Sequence, residues 1–151
     1  MAAWSFVPVV PRAASVCLLD KAPRSIESHE FSRHFRLTQA AAYTRVFKQG
    51  QRYSDKLLTI VVREADNADG PGRLGLAISK RVAPRAVDRN RLKRLVRESF
   101  RMHRDQLKGF EIVVMAKPSA RHADNQAIFS SLSRQWNRAL TGAERQRSST
   151  S

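Results

Sequence analysis

The stretch RLGLAISKRVAPRAVDRNRLKRLVRESFRMHR, residues 73–104, joins an alternating apolar run to a strongly basic one. In its first part Leu74, Leu76 and Ile78 alternate with small residues, which predicts a β-strand with one core face and one flat face. The flat face consists of Gly75, Ala77 and Ser79. The second part has apolar residues at helical spacing, which predicts an amphipathic helix. Its apolar face consists of Leu92, Leu95, Val96 and Ser99, flanked by Met102 and His103.

The predicted helix has a cationic face opposite its apolar face. Between Lys80 and Arg104 there are 10 Lys or Arg and 2 acidic residues, a net charge of +8 within a chain of net charge +15. A solvated helix face normally mixes signs, because like charges one turn apart repel each other. This pattern therefore favours a surface that binds a polyanion, and Arg is well suited to bidentate phosphate contacts.

The remaining segments alternate between helix and strand patterns. Helices are predicted from Thr38, as the cap, to Gln49 with Gly50 as the stop, and from Asp124 or Asn125 to Leu140. Strands are predicted over Gln51–Ser54, Leu57–Arg63, Arg73–Ser79 and Phe110–Ala116, with a hairpin loop over Glu64–Gly72. The order helix, one or two strands (Gln51–Ser54 being the uncertain first one), strand, helix, strand, helix predicts an α+β fold, a small mixed sheet with helices packed against it.

The start of the basic helix is also predicted from local signals. Asp88 is the expected N-cap, and Val87 and Leu92 are placed to form a hydrophobic staple across it. A start nearer Arg85 stays open, because helix ends are uncertain by about a turn.

Length and composition limit the domain organisation. With 151 residues, the chain has room for one domain with tails. Residues 1–35 are predicted to be a disordered extension, residues 36–140 the folded domain and residues 141–151 a disordered tail. The single cysteine, Cys17, excludes an internal disulfide and a Cys-rich zinc site. The apolar run Trp4–Val10 is too short to span a bilayer, and no signal peptide is expected.

The anionic partner is predicted to be a nucleic acid rather than a membrane. A membrane-surface helix carries bulky apolar residues and lies outside a domain. Here strands flank the basic helix on both sides, so its apolar face is expected to pack on the core. Charge alone does not distinguish RNA from DNA, because phosphate contacts carry no sequence information.

The same residues resemble a known family. Arg73–Arg81 and Arg89–Arg101, with the tripeptide Arg89-Asn90-Arg91 followed by Lys93-Arg94, closely resemble the bacterial ribonuclease P protein component. The resemblance extends from about Arg36 to Leu140. It implies an α-β-β-β-α-β-α sandwich similar to the second domain of ribosomal protein S5, with a left-handed βαβ crossover, although the general rule predicts a right-handed one.

The resemblance also implies a function and its partners. Members assist a catalytic RNA that removes the 5′ leader of precursor tRNA, and the RNA performs the hydrolysis with Mg²⁺. A 1:1 complex with that RNA in the cytoplasm is expected. The residues implied to contact the catalytic RNA are Lys80, Arg81, Arg89, Asn90, Arg91, Lys93, Arg94 and Arg97. Tyr43 and Phe47 are implied to line a cleft for the single-stranded leader, with ordinary core packing as the alternative.

No catalytic or metal site is expected in the polypeptide itself. The four histidines, His29, His34, His103 and His122, lack ligand spacing. Glu64, Asp66 and Asp69 cluster in one loop, where solvated carboxylates are favoured over a Mg²⁺ site. Two other functions stay open. One is a structural ribosome-associated protein, and the other is a DNA-binding protein whose basic helix enters the major groove, although no helix-turn-helix pattern is present.

Overall fold

The computed structural model describes residues 33–150. A 3₁₀ turn at Arg33–Phe35 comes first. The helices are α1 (Ala40–Gln49), α2 (Ala86–Met102) and α3 (Asn125–Thr150), and the strands are β1 (Gln51–Ser54), β2 (Leu58–Glu64), β3 (Arg73–Ala77) and β4 (Phe110–Ala116), with a further 3₁₀ turn at Pro118–Arg121. This order confirms the predicted α+β sequence of elements. The predicted disordered extension, residues 1–35, lies outside the described residues except for Arg33–Phe35, which form the 3₁₀ turn.

The four strands form one sheet in the order β1-β2-β4-β3. β1 and β2 are antiparallel neighbours, β2 pairs antiparallel with β4, and β3 pairs parallel with β4. The predicted hairpin over Glu64–Gly72 is therefore wrong, because β4 lies between the two strands that this loop connects. The physical reason is the composition of β4, whose nearly continuous apolar run suits a central position buried on both faces.

Helices cover both faces of the sheet. α1 lies on the face that carries Val61 and Val113, which are cross-strand partners and belong to one buried cluster with Val46 of α1. α3 lies on the other face, where Gly142 packs against the hydroxyl of Tyr53. α2 packs against α3 through the aromatic pair described next. The sheet is thus the middle layer of the domain.

One aromatic pair joins α2 to α3. The rings of Phe100 and Trp136 meet edge to face with their centroids 6.5 Å apart, and both side chains are fully buried. The indole N–H of Trp136 donates to Ser99 Oγ at 3.0 Å. Ser99 therefore lies on the apolar face of α2, as predicted. A polar side chain fits there because its hydroxyl accepts the hydrogen bond of the buried indole N–H. Phe100 was not assigned to that face from the sequence and extends it.

The predicted disordered tail is wrong for residues 141–150, because α3 continues to Thr150. Ala143 is buried. The Arg147 Nε donates to Glu64 Oε1 at 2.9 Å, and its guanidinium lies 5.7 Å from the centre of the Phe110 ring. These contacts with the sheet give the polar segment a surface to fold on, which its Ser, Thr, Arg and Gln composition did not indicate.

The structure decides both helix starts. The N-cap of α2 is Arg85, which confirms the start that the sequence left open rather than the one at Asp88. Asp88 lies inside the first turn, and Val87 is 76% exposed rather than part of a staple. Pro84 sets an upstream limit to the helix, because the residue before a proline disfavours helical geometry and Ala83 therefore stays outside it. The N-cap of α1 is Gln39 rather than Thr38, and Gly50 ends the helix as predicted.

Candidate nucleic-acid interface

The basic helix α2 divides its residues between the core and the surface. Its predicted apolar residues are all buried, namely Leu92, Leu95, Val96 and Ser99. Met102, predicted to flank this face, is instead 71% exposed. Burying one face fixes the rotation of the helix about its axis. The cations between residues 89 and 101 therefore lie on the other sides of the helix, where Arg94 and Arg101 are exposed and Arg97 is half-buried.

Two arginines of the Arg89-Asn90-Arg91 tripeptide bond to the protein itself. The Arg89 Nη1 donates to the carbonyls of Ala83 at 2.8 Å and Pro84 at 2.7 Å. These bonds hold the loop in front of α2. The loop is held further by the Ala83 N–H, which donates to the Ser79 carbonyl at 3.2 Å. Arg89 thus fixes the segment that joins β3 to α2.

Arg91 connects α2 to the beginning of α3. Its Nε donates to Asn125 Oδ1 at 2.9 Å, and its terminal nitrogens donate to the carbonyls of Arg121 and Ala123. Asp88 adds an ion pair with Arg121 at 3.6 Å. Arg91 remains cationic, but most of its directional bonding capacity is used within the domain.

The other predicted RNA-binding residues have more access to solvent. Lys80 and Arg81, in the turn that follows β3, are exposed, and so are Asn90 and Arg94 on α2. Lys93 is half-buried. We call this group of five cations and one amide, carried by α2 and by the turn after β3, the α2 surface; it consists of Lys80, Arg81, Asn90, Lys93, Arg94 and Arg97.

Arg97 is the most constrained member of the α2 surface. Its Nε is buried and has no hydrogen-bond partner among residues 33–150. Burial, and to a lesser extent the nearby positive charge of Arg36, lowers the pKa of the Arg97 guanidinium. The like charges of Arg97 and Arg36 add to the positive potential at this position. Sequence reasoning did not assign Arg36 to the site.

On the opposite face of the sheet, α1 carries the two predicted leader-binding aromatics. Phe47 is 46% exposed. Tyr43 is half-buried and packs, with Ala77 and Met115, against the cluster under α1. Its Oη accepts a hydrogen bond from the Leu76 N–H at 3.1 Å. Phe47 therefore has a free ring surface, whereas Tyr43 is partly a core residue.

The predicted flat face of β3 is not open over its whole length. Gly75 is buried, and a side chain there would approach Tyr43 Cε1 to 2.8 Å. The flat face is covered at this position, because the absence of a side chain lets the Tyr43 ring pack directly on the strand. Ala77 is half-buried and Ser79 is exposed beyond the strand end. Open surface thus remains only at that end.

The carboxylates of the Glu64–Gly72 loop mostly pair with arginines. Asp66 Oδ1 lies 2.7 Å from the Arg63 Nη2, and Glu64 pairs with Arg147. Asp66 is the main cause of the raised pKa of Arg63. Residues 33–150 contain no group of three or more His, Asp or Glu side chains arranged to hold a metal ion. None of the helices in this range is long and apolar enough to cross a membrane.

Comparisons with known proteins agree on one family. The sequence profile of the Ribonuclease P family matches residues 31–140. The ribonuclease P protein component of Thioalkalivibrio sulfidiphilus is 49% identical over 111 residues, which cover 74% of this chain and 91% of that protein. The solved RNase P protein of Staphylococcus aureus has a TM-score of 0.62 at 28% identity, covering 72% of this chain and 94% of the other. The solved RNase P protein of Thermotoga maritima has a TM-score of 0.60 at 27% identity, and the match covers 68% of this chain and 96% of that protein.

Proposed function

The chain belongs to the ribonuclease P protein family, and from this premise we propose that it is the protein subunit that helps a catalytic RNA remove the 5′ leader of precursor tRNA. The family assignment implies a role in tRNA 5′ processing within a ribonucleoprotein. The observation that carries the proposal is the α2 surface, a mostly cationic group on α2 and on the turn after β3, combined with the burial of the opposite face of α2. A surface of one sign on a rigid element suits the phosphates of a folded RNA.

The catalytic RNA is proposed to bind along the α2 surface. Arg94, Lys80 and Arg81 are exposed and are assigned to direct phosphate contacts. Asn90, Lys93 and Arg97 complete the same surface. Arg89 and Arg91 contribute positive charge there, while their hydrogen bonds fix the loop before α2 and the beginning of α3. The tripeptide therefore has two tasks in this proposal, positioning and binding.

The single-stranded leader is proposed to bind beside α1. Phe47 offers an exposed ring on which a base can stack, a contact that tolerates any base. Tyr43 and Ala77 contribute partly buried surface next to it. Hydrolysis is assigned to the RNA subunit and its Mg²⁺ ions, as the resemblance implies. In this proposal the polypeptide binds, screens phosphate repulsion and holds the leader.

The finer fold and cellular assignments rest on the same resemblance. β3, α2 and β4 form the parallel βαβ unit in which a left-handed crossover is implied, within a sandwich similar to the second domain of ribosomal protein S5. An experimental structure with the opposite hand would contradict this. One copy of the chain per RNA, in the cytoplasm, completes the proposal, and the mass of the purified complex tests the 1:1 ratio.

The decisive experiment is reconstitution. The full chain, a bacterial ribonuclease P RNA and a labelled precursor tRNA are mixed at a Mg²⁺ concentration at which the RNA alone is nearly inactive. We expect the protein to restore cleavage at the mature 5′ end and to give no cleavage without the RNA. Arg94→Ala should reduce the stimulation, and Arg145→Ala, which removes the same charge from an exposed position on α3, should not.

Each other result contradicts a defined part of the proposal. Binding to the RNA without stimulation would favour the general RNA-binding or ribosome-associated role. Equal effects of Arg94→Ala and Arg145→Ala would show that net charge, rather than the α2 surface, is responsible. Cleavage without added RNA, from a preparation free of contaminating nuclease, would place an active site in the polypeptide.

A further inference from the structure

A second cationic concavity lies at the beginning of α1. Its volume is about 260 Å³, and none of its lining residues within the described range 33–150 is acidic. We call it the α1 pocket; its charged or titratable lining residues are Arg33, His34, Arg36, Arg45 and Arg73. Arg45 is on the side of α1 opposite Tyr43, because two residues advance a helix by about 200°. The α1 pocket is therefore separate from the proposed leader contacts.

Backbone pairing holds the α1 pocket in shape. Arg36 forms a parallel bridge with Leu74 of β3, and the Leu37 N–H donates to the Leu74 carbonyl at 3.0 Å. Leu37 itself is buried in the core. The bridge places Arg36 beside the start of β3, where Arg73 is the first residue. Pairing with the edge strand β3 therefore holds Arg36 close to Arg73.

Two of the arginines that line the α1 pocket, Arg73 and Arg45, are poorly compensated within residues 33–150. Arg73 is exposed and has no ion-pair partner among residues 33–150. Arg45 has one weak partner, Asp66, at 3.6 Å, and these two side chains are 50% and 75% exposed. Like charges gathered in this way repel one another, so an anion bound among them gains from several attractions at once.

The helix itself adds to this positive potential. The first turn of α1 contains no acidic residue, and its N-cap, Gln39, makes no capping hydrogen bond with its side chain. The amide groups at the beginning of a helix carry partial positive charge and bind anions. Gln39 and Ala42 both line the α1 pocket, so this end of the helix borders the same space as the arginines.

We propose that the α1 pocket binds one phosphate group of an RNA backbone, which extends the proposed RNA interface from α2 to α1. Guanidinium groups bind phosphate oxygens in a bidentate manner, and the volume is below the range of most pockets for larger ligands. RNA is the favoured source because Arg36, which lines the α1 pocket, is near enough to Arg97 of the α2 surface for their charges to interact. The identity of the RNA rests on the proposed function.

The first arm of the test uses inorganic phosphate as the probe. Thermal unfolding of the full chain is measured in phosphate and in chloride at equal ionic strength, for the wild type, Arg73→Ala and the matched control Arg145→Ala. A ligand that binds the folded state raises Tm. We expect phosphate to raise the Tm of Arg73→Ala less than that of the wild type and Arg145→Ala. Phosphate bound to α2 should raise the Tm of all three proteins equally, so the difference reports the α1 pocket. Arg45→Ala replaces Arg73→Ala if that variant fails to fold.

The second arm measures the Kd of the complex with ribonuclease P RNA as a function of KCl concentration. Losing one phosphate contact should reduce the slope of log K against log salt by about one for Arg73→Ala. Arg145→Ala should leave the slope unchanged. A smaller phosphate effect with an unchanged RNA slope would assign the α1 pocket to a small phosphate ligand and overturn the RNA contact. Equal behaviour of both variants in both arms would overturn the site itself.

The same variants separate the two proposals. A wild-type chain that stimulates cleavage while Arg73→Ala behaves like Arg145→Ala would defeat the α1 pocket alone. A wild-type chain that fails to stimulate cleavage, while Arg73→Ala still lowers the salt slope, would defeat the proposed function alone.

Discussion

α1 and α2 divide their candidate functional residues in the same way. On α2, Arg91 is bonded to the beginning of α3, whereas Arg94, less than one turn further on, is exposed. On α1, Tyr43 packs on Gly75 and bonds to β3, whereas Phe47, one turn further on, is 46% exposed. Each helix thus has one anchored and one accessible member of a pair that looks equivalent in the sequence.

The difference between the anchored and the accessible residue of each helix has a simple geometric cause. Residues three or four apart lie on the same side of a helix but at different heights along it, so they meet different neighbours. Arg91 is level with the turn before α3, and Tyr43 is level with the edge strand β3. A motif therefore marks a surface, and the packing around it decides which members bind a partner and which hold the surface in place.

The largest expected effect separates Arg91 from Arg94. Arg91→Ala should lower the free energy of unfolding by about 1.5–3 kcal/mol, the usual range for hydrogen bonds that involve a charged group. Arg94→Ala should change it by less than about 0.5 kcal/mol, as for most exposed positions. Urea denaturation of the two variants measures both values. Similar losses in both would remove the distinction between anchored and accessible arginines.

The next effect concerns Phe47. Phe47→Ala should weaken binding of precursor tRNA by about 1–3 kcal/mol, the usual contribution of a base stacked on an aromatic ring. Mature tRNA, which lacks the leader, should bind as before. Titration of the reconstituted complex with both tRNAs checks this, and Phe47→Leu, which keeps apolar volume but removes the ring, is the control. Equal losses for precursor and mature tRNA would contradict the leader assignment.

Arg94 provides the corresponding measurement for RNA. Arg94→Ala should reduce the slope of log K against log salt by about one, the value expected for one phosphate contact. Arg91→Ala should reduce it less, because the bonds of Arg91 to α3 limit its geometry for a phosphate. Binding of the catalytic RNA, measured between low and moderate KCl, gives both slopes. A larger reduction for Arg91→Ala would reverse the two assigned roles.

Much of the fold follows from sequence periodicity. The alternation in β3, the apolar run of β4 and the stripe of α2 each depend on local pattern, and the structure confirms these elements. The position of β4 between β2 and β3 could not be read in this way, because strand order depends on which strands can be buried on both faces. The helical end of α3 was missed because its support comes from Glu64 and Phe110, far away in the sequence.

The candidate site was predictable as a surface but not residue by residue. Charge and resemblance indicated the cationic side of α2, and Phe47 is exposed as a leader contact requires. The internal bonds of Arg89 depend on where the loop before α2 lies, and that loop has no periodic signal. The grouping of Arg36 with Arg73 depends on a bridge to the edge strand. Local residue spacing carries no information about such contacts between segments that are distant in the sequence.

Tyr43→Phe should have the smallest effect and is the finest test of the division on α1. β3 is an edge strand, and the Tyr43 hydroxyl accepts the N–H of Leu76 at 3.1 Å. Removing the Tyr43 hydroxyl should lower the free energy of unfolding by about 0.5–1.5 kcal/mol, the net value of one hydrogen bond. Precursor binding should not change, because the ring stays on Gly75. If Tyr43→Phe weakened precursor binding as much as Phe47→Ala, measured in the same titration, the hydroxyl would contact the leader. Tyr43 would then be a binding residue rather than an anchor.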